Sequence, residues 1–216
     1  MRLSPLLPLI TLASLTLATP VPIPNPIIEH DDLDIRDLLE ARQVTCRSVH
    51  VLFARGTAET PTLGEVVGPG FRDNLIKVLP SSRTLSFAGI SYAASYLGYL
   101  QGGDKEGAKT MATAAANIAK SCPSAKIFLS GYSQGAQVVH LAAAQLASSV
   151  QSRINGVITF GDPYVKRALP GAMENRRKTF CNDGDKICEG LPLVTDPHMN
   201  YKSSWDPAAR WVAFRV

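Results

Sequence analysis

Lys126-Ile-Phe-Leu-Ser-Gly-Tyr-Ser-Gln-Gly-Ala-Gln-Val-Val-His-Leu-Ala-Ala-Ala-Gln-Leu-Ala147 sets a strand directly against a helix. Lys126 to Ser130 is a short apolar run of strand length, whereas Gly135 to Ser149 is of helix length. Between them stands Gly131-Tyr132-Ser133-Gln134-Gly135, a G-x-S-x-G pattern. Five-residue patterns arise by chance, so its weight comes from its place. Glycines two residues either side of Ser133 permit a sharp strand-to-helix turn and close packing, which lift a serine hydroxyl clear of a sheet. Ser133 is therefore the candidate nucleophile.

The same alternation extends outward in both directions. Ser48 to Ala54, Thr84 to Ile90, Gly156 to Phe160 and Lys178 to Cys181 are further short apolar runs, each ending near glycine or a turn signal. Gly70 to Leu79, Asp104 to Ser121 and Asp206 to Phe214 are of helix length. Strands separated by helices imply a parallel sheet covered on both faces. The expected fold is thus an α/β domain, a three-layer α/β/α sandwich of about five parallel strands, with its ligand site at the carboxyl ends of the strands. No repeat of solenoid length is present.

Composition agrees with one such domain: 216 residues, 45% hydrophobic and 19% charged. The beginning of the chain reads differently. Arg2, an apolar run from Leu3 to Leu17 and small residues at Ala18 and Thr19 have the order of a secretory signal, assigned to residues 1–18. A proline-rich segment from Pro20 to Pro26 and an acidic stretch from Glu29 to Glu40 follow, read as a propeptide over 19–42 clipped after Arg42. The catalytic domain would then span 43–216. Residues 1–42 carry three basic and six acidic side chains, so the net charge of +4 becomes +7 in the remainder. Those cations are scattered singly apart from Arg176-Arg177-Lys178 and lack interleaved aromatics, which excludes nucleic acid as the expected partner.

All four cysteines, Cys46, Cys122, Cys181 and Cys188, lie after Arg42, an even count suited to disulfides in an exported chain. Spacing alone leaves three pairings open, although Cys181 and Cys188 bracket a short polar loop. Zinc is not expected, since there is no paired C-x-x-C and no histidine nearby.

A serine hydroxyl needs a base. His50 sits in the first strand and His140 in the helix after Ser133, both among apolar neighbours, as packed core histidines do. His198, in the late loop Thr195-Asp-Pro-His-Met199, is the base by elimination. Asp162, Asp183, Asp185 and Asp196 all precede it, and chain order leaves the four open. Asp162 reads as a turn residue before Pro163.

Taken in order, C-x-x-V-H-V-L-F-A-R-G-T from Cys46, G-Y-S-Q-G, C-N-D-G-D-K-I-C and P-H-M-N-Y resemble the fungal cutinases, secreted serine esterases of the α/β-hydrolase superfamily. The resemblance runs from Cys46 to the C-terminus. It implies a Ser133, Asp185, His198 triad, with Asp183 at the variable position of the cysteine loop. It also implies disulfides Cys46–Cys122 and Cys181–Cys188, for which the chain-entropy model gives about 4.5 and about 2.5 kcal/mol. The oxyanion hole would be the amides of Gln134 and Thr57, the latter standing where many cutinases have serine. Two apolar loops, Tyr92 to Gln101 and Leu191 to Met199, would flank an exposed serine, with Leu97, Leu100, Val194, Met199 and Tyr132 as acyl-chain contacts. No cofactor and no metal are implied, and the expected species is an extracellular monomer without a transmembrane anchor, acting on cutin-type polyesters and short-to-medium acyl esters. Acetylxylan esterase shares the fold and triad and is the nearest alternative; an inactive secreted binding or effector protein is the alternative of another class.

Overall fold

The three inner strands of the central sheet carry apolar residues that alternate between two cores. In the computed structural model, which describes residues 44–216, β1 (Val49–Ala54) is buried along its whole length. Val49, Val51 and Phe53 point to one face, Leu52 and Ala54 to the other. β2 (Leu85–Gly89), β3 (Lys126–Tyr132), β4 (Ile154–Phe160) and β5 (Arg177–Phe180) complete a five-stranded, all-parallel sheet in the order β2-β1-β3-β4-β5. The expected signal segment and propeptide lie outside the described residues.

The helices are α1 (Gly68–Val78), α2 (Tyr96–Leu100), α3 (Lys105–Ser121), α4 (Gln134–Gln145), α5 (Ser148–Gln151) and α6 (Lys202–Ala213). On one face α3 and α4 bury Met111, Ala115, Val139 and Ala142 against Ile127 and Leu129. On the other, α1 and α6 bury Phe71, Leu75 and Val212 against Phe53, Phe128 and Phe160. Each of these fully covered large side chains contributes roughly 2 kcal/mol of transfer free energy, which is why the sheet needs a helix layer on both sides. The three-layer α/β/α expectation holds.

Boundaries moved where local signals were ambiguous. Helix α6 starts at Lys202 and carries Pro207 within it, rather than starting at Asp206 with the proline in its first turn. The expected helix from Gly135 to Ser149 ends at Gln145 and resumes as the short α5. Helix α2 lies inside the apolar loop expected over 92–101, capped by the Ser95 hydroxyl, which accepts from the Gly98 amide at 3.0 Å.

Both expected disulfides are formed. Cys46–Cys122 ties the chain before β1 to the end of α3, and Cys181–Cys188 closes the loop after β5. The order 2-1-3-4-5 reverses direction between β1 and β3. A crevice therefore opens outside the carboxyl ends of those two strands, which is where the loops bearing Thr57 and Ser133 meet.

Candidate active site

Ser133 follows β3 immediately and has φ 57° and ψ −119°, a left-handed conformation costly for a residue with a side chain. The turn is held by a 3.0 Å bond from its amide to the Phe160 carbonyl. Its flanking glycines are steric necessities. A Cβ at position 131 would lie 2.2 Å from the Gly135 carbonyl oxygen, and one at 135 would lie 2.0 Å from that of Ala54. Ser133 is only 7% exposed. The expected exposed serine is instead nearly buried, at the floor of a cleft.

Ser133 Oγ lies 3.0 Å from His198 Nε2, and His198 Nδ1 lies 2.8 Å and 2.9 Å from the two oxygens of Asp185. With a carboxylate at Nδ1, that nitrogen carries the proton and Nε2 is left to accept from the serine. Asp185 is 1% exposed. Burial alone would raise its pKa, but hydrogen bonds from His198 and Tyr201 outweigh that and hold the carboxyl below its usual range. The amide of Ile187 also donates to it at 2.9 Å, within the loop closed by the Cys181–Cys188 bridge. The other aspartates are placed elsewhere. Asp183 and Asp196 are exposed, and Asp162 is buried with one oxygen 3.1 Å from His140 Nε2 and the other accepting from the Tyr164 amide. Asp162 is thus the expected turn residue and also the partner of His140. His50 accepts from the Arg47 amide at 3.0 Å; burial lowers its pKa.

Three side chains that spacing did not single out steady this arrangement. Tyr201, fully buried, donates from its hydroxyl to Asp185 Oδ2 at 2.5 Å. Asn182 Nδ2 donates to the carbonyls of Pro197 and Asn200, each at 2.8 Å, joining the loop of Asp185 to that of His198. Glu59 accepts from the amides of Gly56, Glu65 and Val66 at 2.6, 2.9 and 2.8 Å, which fixes the loop after β1. Tyr201 closes the P-H-M-N-Y motif and Glu59 lies two residues beyond Thr57, so the signals were adjacent to residues already chosen. Tyr132, expected against substrate, lines the cleft but also stacks on His198 with ring centroids 5.1 Å apart, its hydroxyl donating to the His198 carbonyl at 2.8 Å.

Thr57 and Gln134 face one another across the crevice. The Gln134 amide Nε2 donates to Thr57 Oγ1 at 2.9 Å and to the Ser95 carbonyl at 2.7 Å, so one side chain spans both loops. The Gln134 backbone N–H is the first of α4, where amides have no partner within the helix and the helix dipole favours negative charge. Behind Thr57, Arg55 is 3% exposed and donates to the carbonyls of Glu59 and Tyr92, each at 2.8 Å.

A cleft of about 450 Å³ opens over Ser133 and His198. Leu100, Val194 and Met199 line it as expected, joined by Tyr96, Tyr99 and Ile187. Leu97, 62% exposed, stands outside that lining. The rim is apolar: Tyr96, Leu100, Val194 and Met199 all have more than half of their surface in solvent.

A serine on a strand-to-helix turn, bonded to a histidine that a buried aspartate holds, at the carboxyl edge of a helix-covered parallel sheet, defines a serine hydrolase of the α/β-hydrolase type. The family model described as Cutinase matches residues 45–216. Cutinase CUT1 of Coprinopsis cinerea is 52% identical over 206 residues, 95% of this chain and 98% of that protein. The chain belongs to the cutinase family and is a carboxylic-ester hydrolase. Among solved structures, the Trichoderma reesei cutinase in complex with a phosphonate inhibitor superposes with TM-score 0.73 at 38% identity, covering 84% of each chain. An acetyl xylan esterase superposes with TM-score 0.64 at 21% identity over 79% of this chain and 99% of that one, a likeness of fold alone.

Proposed function

We propose that the protein is a secreted, monomeric esterase that cleaves cutin-type polyesters and short-to-medium acyl esters, with Ser133, His198 and Asp185 as its triad. Ser133 Oγ attacks the ester carbonyl while His198 Nε2 takes its proton. Asp185 holds the imidazolium, and the amides of Thr57 and Gln134 stabilise the tetrahedral oxyanion. His198 returns the proton to the leaving alcohol; water then attacks the acyl-enzyme by the same route. The observation that carries the reading is the hydrogen-bonded Ser133–His198–Asp185 chain at the floor of an apolar-rimmed cleft. No helix among the described residues is long and apolar enough to cross a membrane. In this reading residues 1–18 direct export and 19–42 are removed.

A hydrolysis profile over p-nitrophenyl esters from acetate to palmitate, run beside cutin and acetylated xylan, tests the substrate class. The expected result is a preference for butyrate-to-octanoate chains with release of cutin monomers. Confinement to acetate with release from xylan would establish an acetylxylan esterase instead. Absence of turnover, together with no labelling by a fluorophosphonate, would establish an inactive scaffold.

A further inference from the structure

We infer that the Tyr201 hydroxyl is a tuning and positioning residue for His198: by donating to Asp185 it limits how strongly that carboxylate holds the imidazolium, and so sets the acid limit of catalysis. The inference rests on the triad proposed above and adds a residue to it that touches neither substrate nor nucleophile.

The geometry gives the sign. Asp185 Oδ1 accepts from the Ile187 amide at 2.9 Å, Oδ2 accepts from Tyr201 at 2.5 Å, and His198 Nδ1 faces both oxygens. The Asn182 amide points at the Tyr201 oxygen from 3.3 Å, so that oxygen is an acceptor on one side and its proton is directed to the carboxylate on the other. Each donor on a carboxylate disperses its negative charge and leaves less of it to stabilise a neighbouring cation. Without the hydroxyl, Asp185 holds a proton on His198 more tightly. Tyr201 itself stays a donor throughout the working range, since burial first and the Asp185 carboxylate second push its phenol far up.

The other groups around the imidazole do not duplicate this contact. Tyr132 stacks on His198 and bonds to its backbone carbonyl. Tyr99 and Glu59 line the cleft, and Glu59 is engaged by three backbone amides. Asp183, Asp196 and Lys202 are exposed, and Lys186 is paired with Glu189 at 2.8 Å. A phenylalanine at 201 would fill the same space in the same aromatic cluster with Tyr132 and Phe160, so packing does not require the hydroxyl.

The test compares wild type with Tyr201→Phe by kcat/KM for p-nitrophenyl butyrate, and by the rate of fluorophosphonate inactivation, from about pH 5 to about pH 9. The acid limb of both profiles is expected to move up by roughly half to one pH unit, with KM unchanged. A ring-fluorinated tyrosine at 201, a stronger donor of the same shape, should move it down, which tests the idea even if the phenylalanine variant folds poorly. An unmoved acid limb in both variants overturns the inference. Asp185→Asn, assayed alongside, separates the two readings: wild-type turnover there would overturn the triad itself, whereas collapse there with unmoved limbs in the Tyr201 variants overturns only the role of Tyr201.

Discussion

Gly161→Ala should disable catalysis without unfolding the protein. Gly161 follows β4 with φ +53°, and a Cβ built on it would stand 2.7 Å from His198 Cε1, 2.9 Å from Nδ1 and 3.2 Å from Asp185 Oδ2. Ordinary contact between such atoms begins near ~3.5 Å, so the imidazole must retreat by about 1 Å. Tyr132 is stacked on the ring, and Asp185 is held by its own loop, so the ring cannot move without lengthening the 3.0 Å bond to Ser133. A displacement of that size costs about 10²-fold in rate, and the left-handed backbone costs alanine about 1–2 kcal/mol of stability. The assay is kcat on p-nitrophenyl butyrate with enzyme titrated by a fluorophosphonate, beside a thermal melt. Gly190→Ala is the control. Its φ is +89° and no atom lies within 4 Å of the added carbon, so it bears a comparable backbone penalty without the contact and should keep turnover within about twofold. A folded Gly161→Ala enzyme with wild-type kcat would refute the claim that His198 is seated against the bare backbone.

Four further outcomes are expected. Ser133→Ala should lose about five to six orders of magnitude in kcat and all labelling by fluorophosphonate, with its melting temperature retained. Asp185→Asn should lower kcat by about 10³–10⁴-fold, whereas Asp183→Asn, at an exposed position, should stay near wild type; Asp162→Asn should register in the melt, because Asp162 is buried on His140. Replacing Cys46 and Cys122 by serine should remove up to about 4.5 kcal/mol of stability with turnover kept at low temperature, while the same change at Cys181 and Cys188 should lower kcat even in folded protein, as Asp185 loses the loop that presents it. Unfolding by urea across pH should show stability declining as pH falls below about 6.5: the buried His50 has its pKa lowered, so the unfolded chain binds that proton first, and His50→Gln should flatten this portion. The depressed Asp185 carboxyl adds stability above the ordinary carboxylate range that is lost as pH falls through its own lower pKa.

The layers and the candidate nucleophile were legible because both depend on local pattern. Lys126 to Gly135 carries its own turn chemistry, and the runs at 48–54 and 156–160 are apolar on both faces, as strands of a covered parallel sheet are. His198 followed from exclusion, since the other two histidines after residue 42 sit in regular elements. The candidate acid did not follow from residues alone: Asp183 and Asp185 share one loop, and the resemblance chose Asp185, which lies buried beside His198 while Asp183 is exposed. What stayed hidden was tertiary. Helix α2 spans five residues with Gly98 at its centre, too short to show a period. The last helix begins at Lys202, ahead of the expected Asp206, and holds Pro207 inside it. Leu97 and Leu100 are three residues apart on α2, yet only Leu100 turns into the cleft. Tyr201 met Asp185 across 16 residues of chain, a distance no pattern encodes.

The Asn182 amide, grasping the Pro197 and Asn200 carbonyls at once, makes the segments 181–188 and 195–201 a single mechanical part. Loop exchange between esterases therefore has a unit of inheritance. Transplanting the disulfide loop alone would deliver Asp185 and the Asn182 clasp without the carbonyls of Pro197 and Asn200 that the clasp grips. Transplanting both segments would carry Asp185, His198 and their alignment together, and would leave the host to supply the serine and the oxyanion amides.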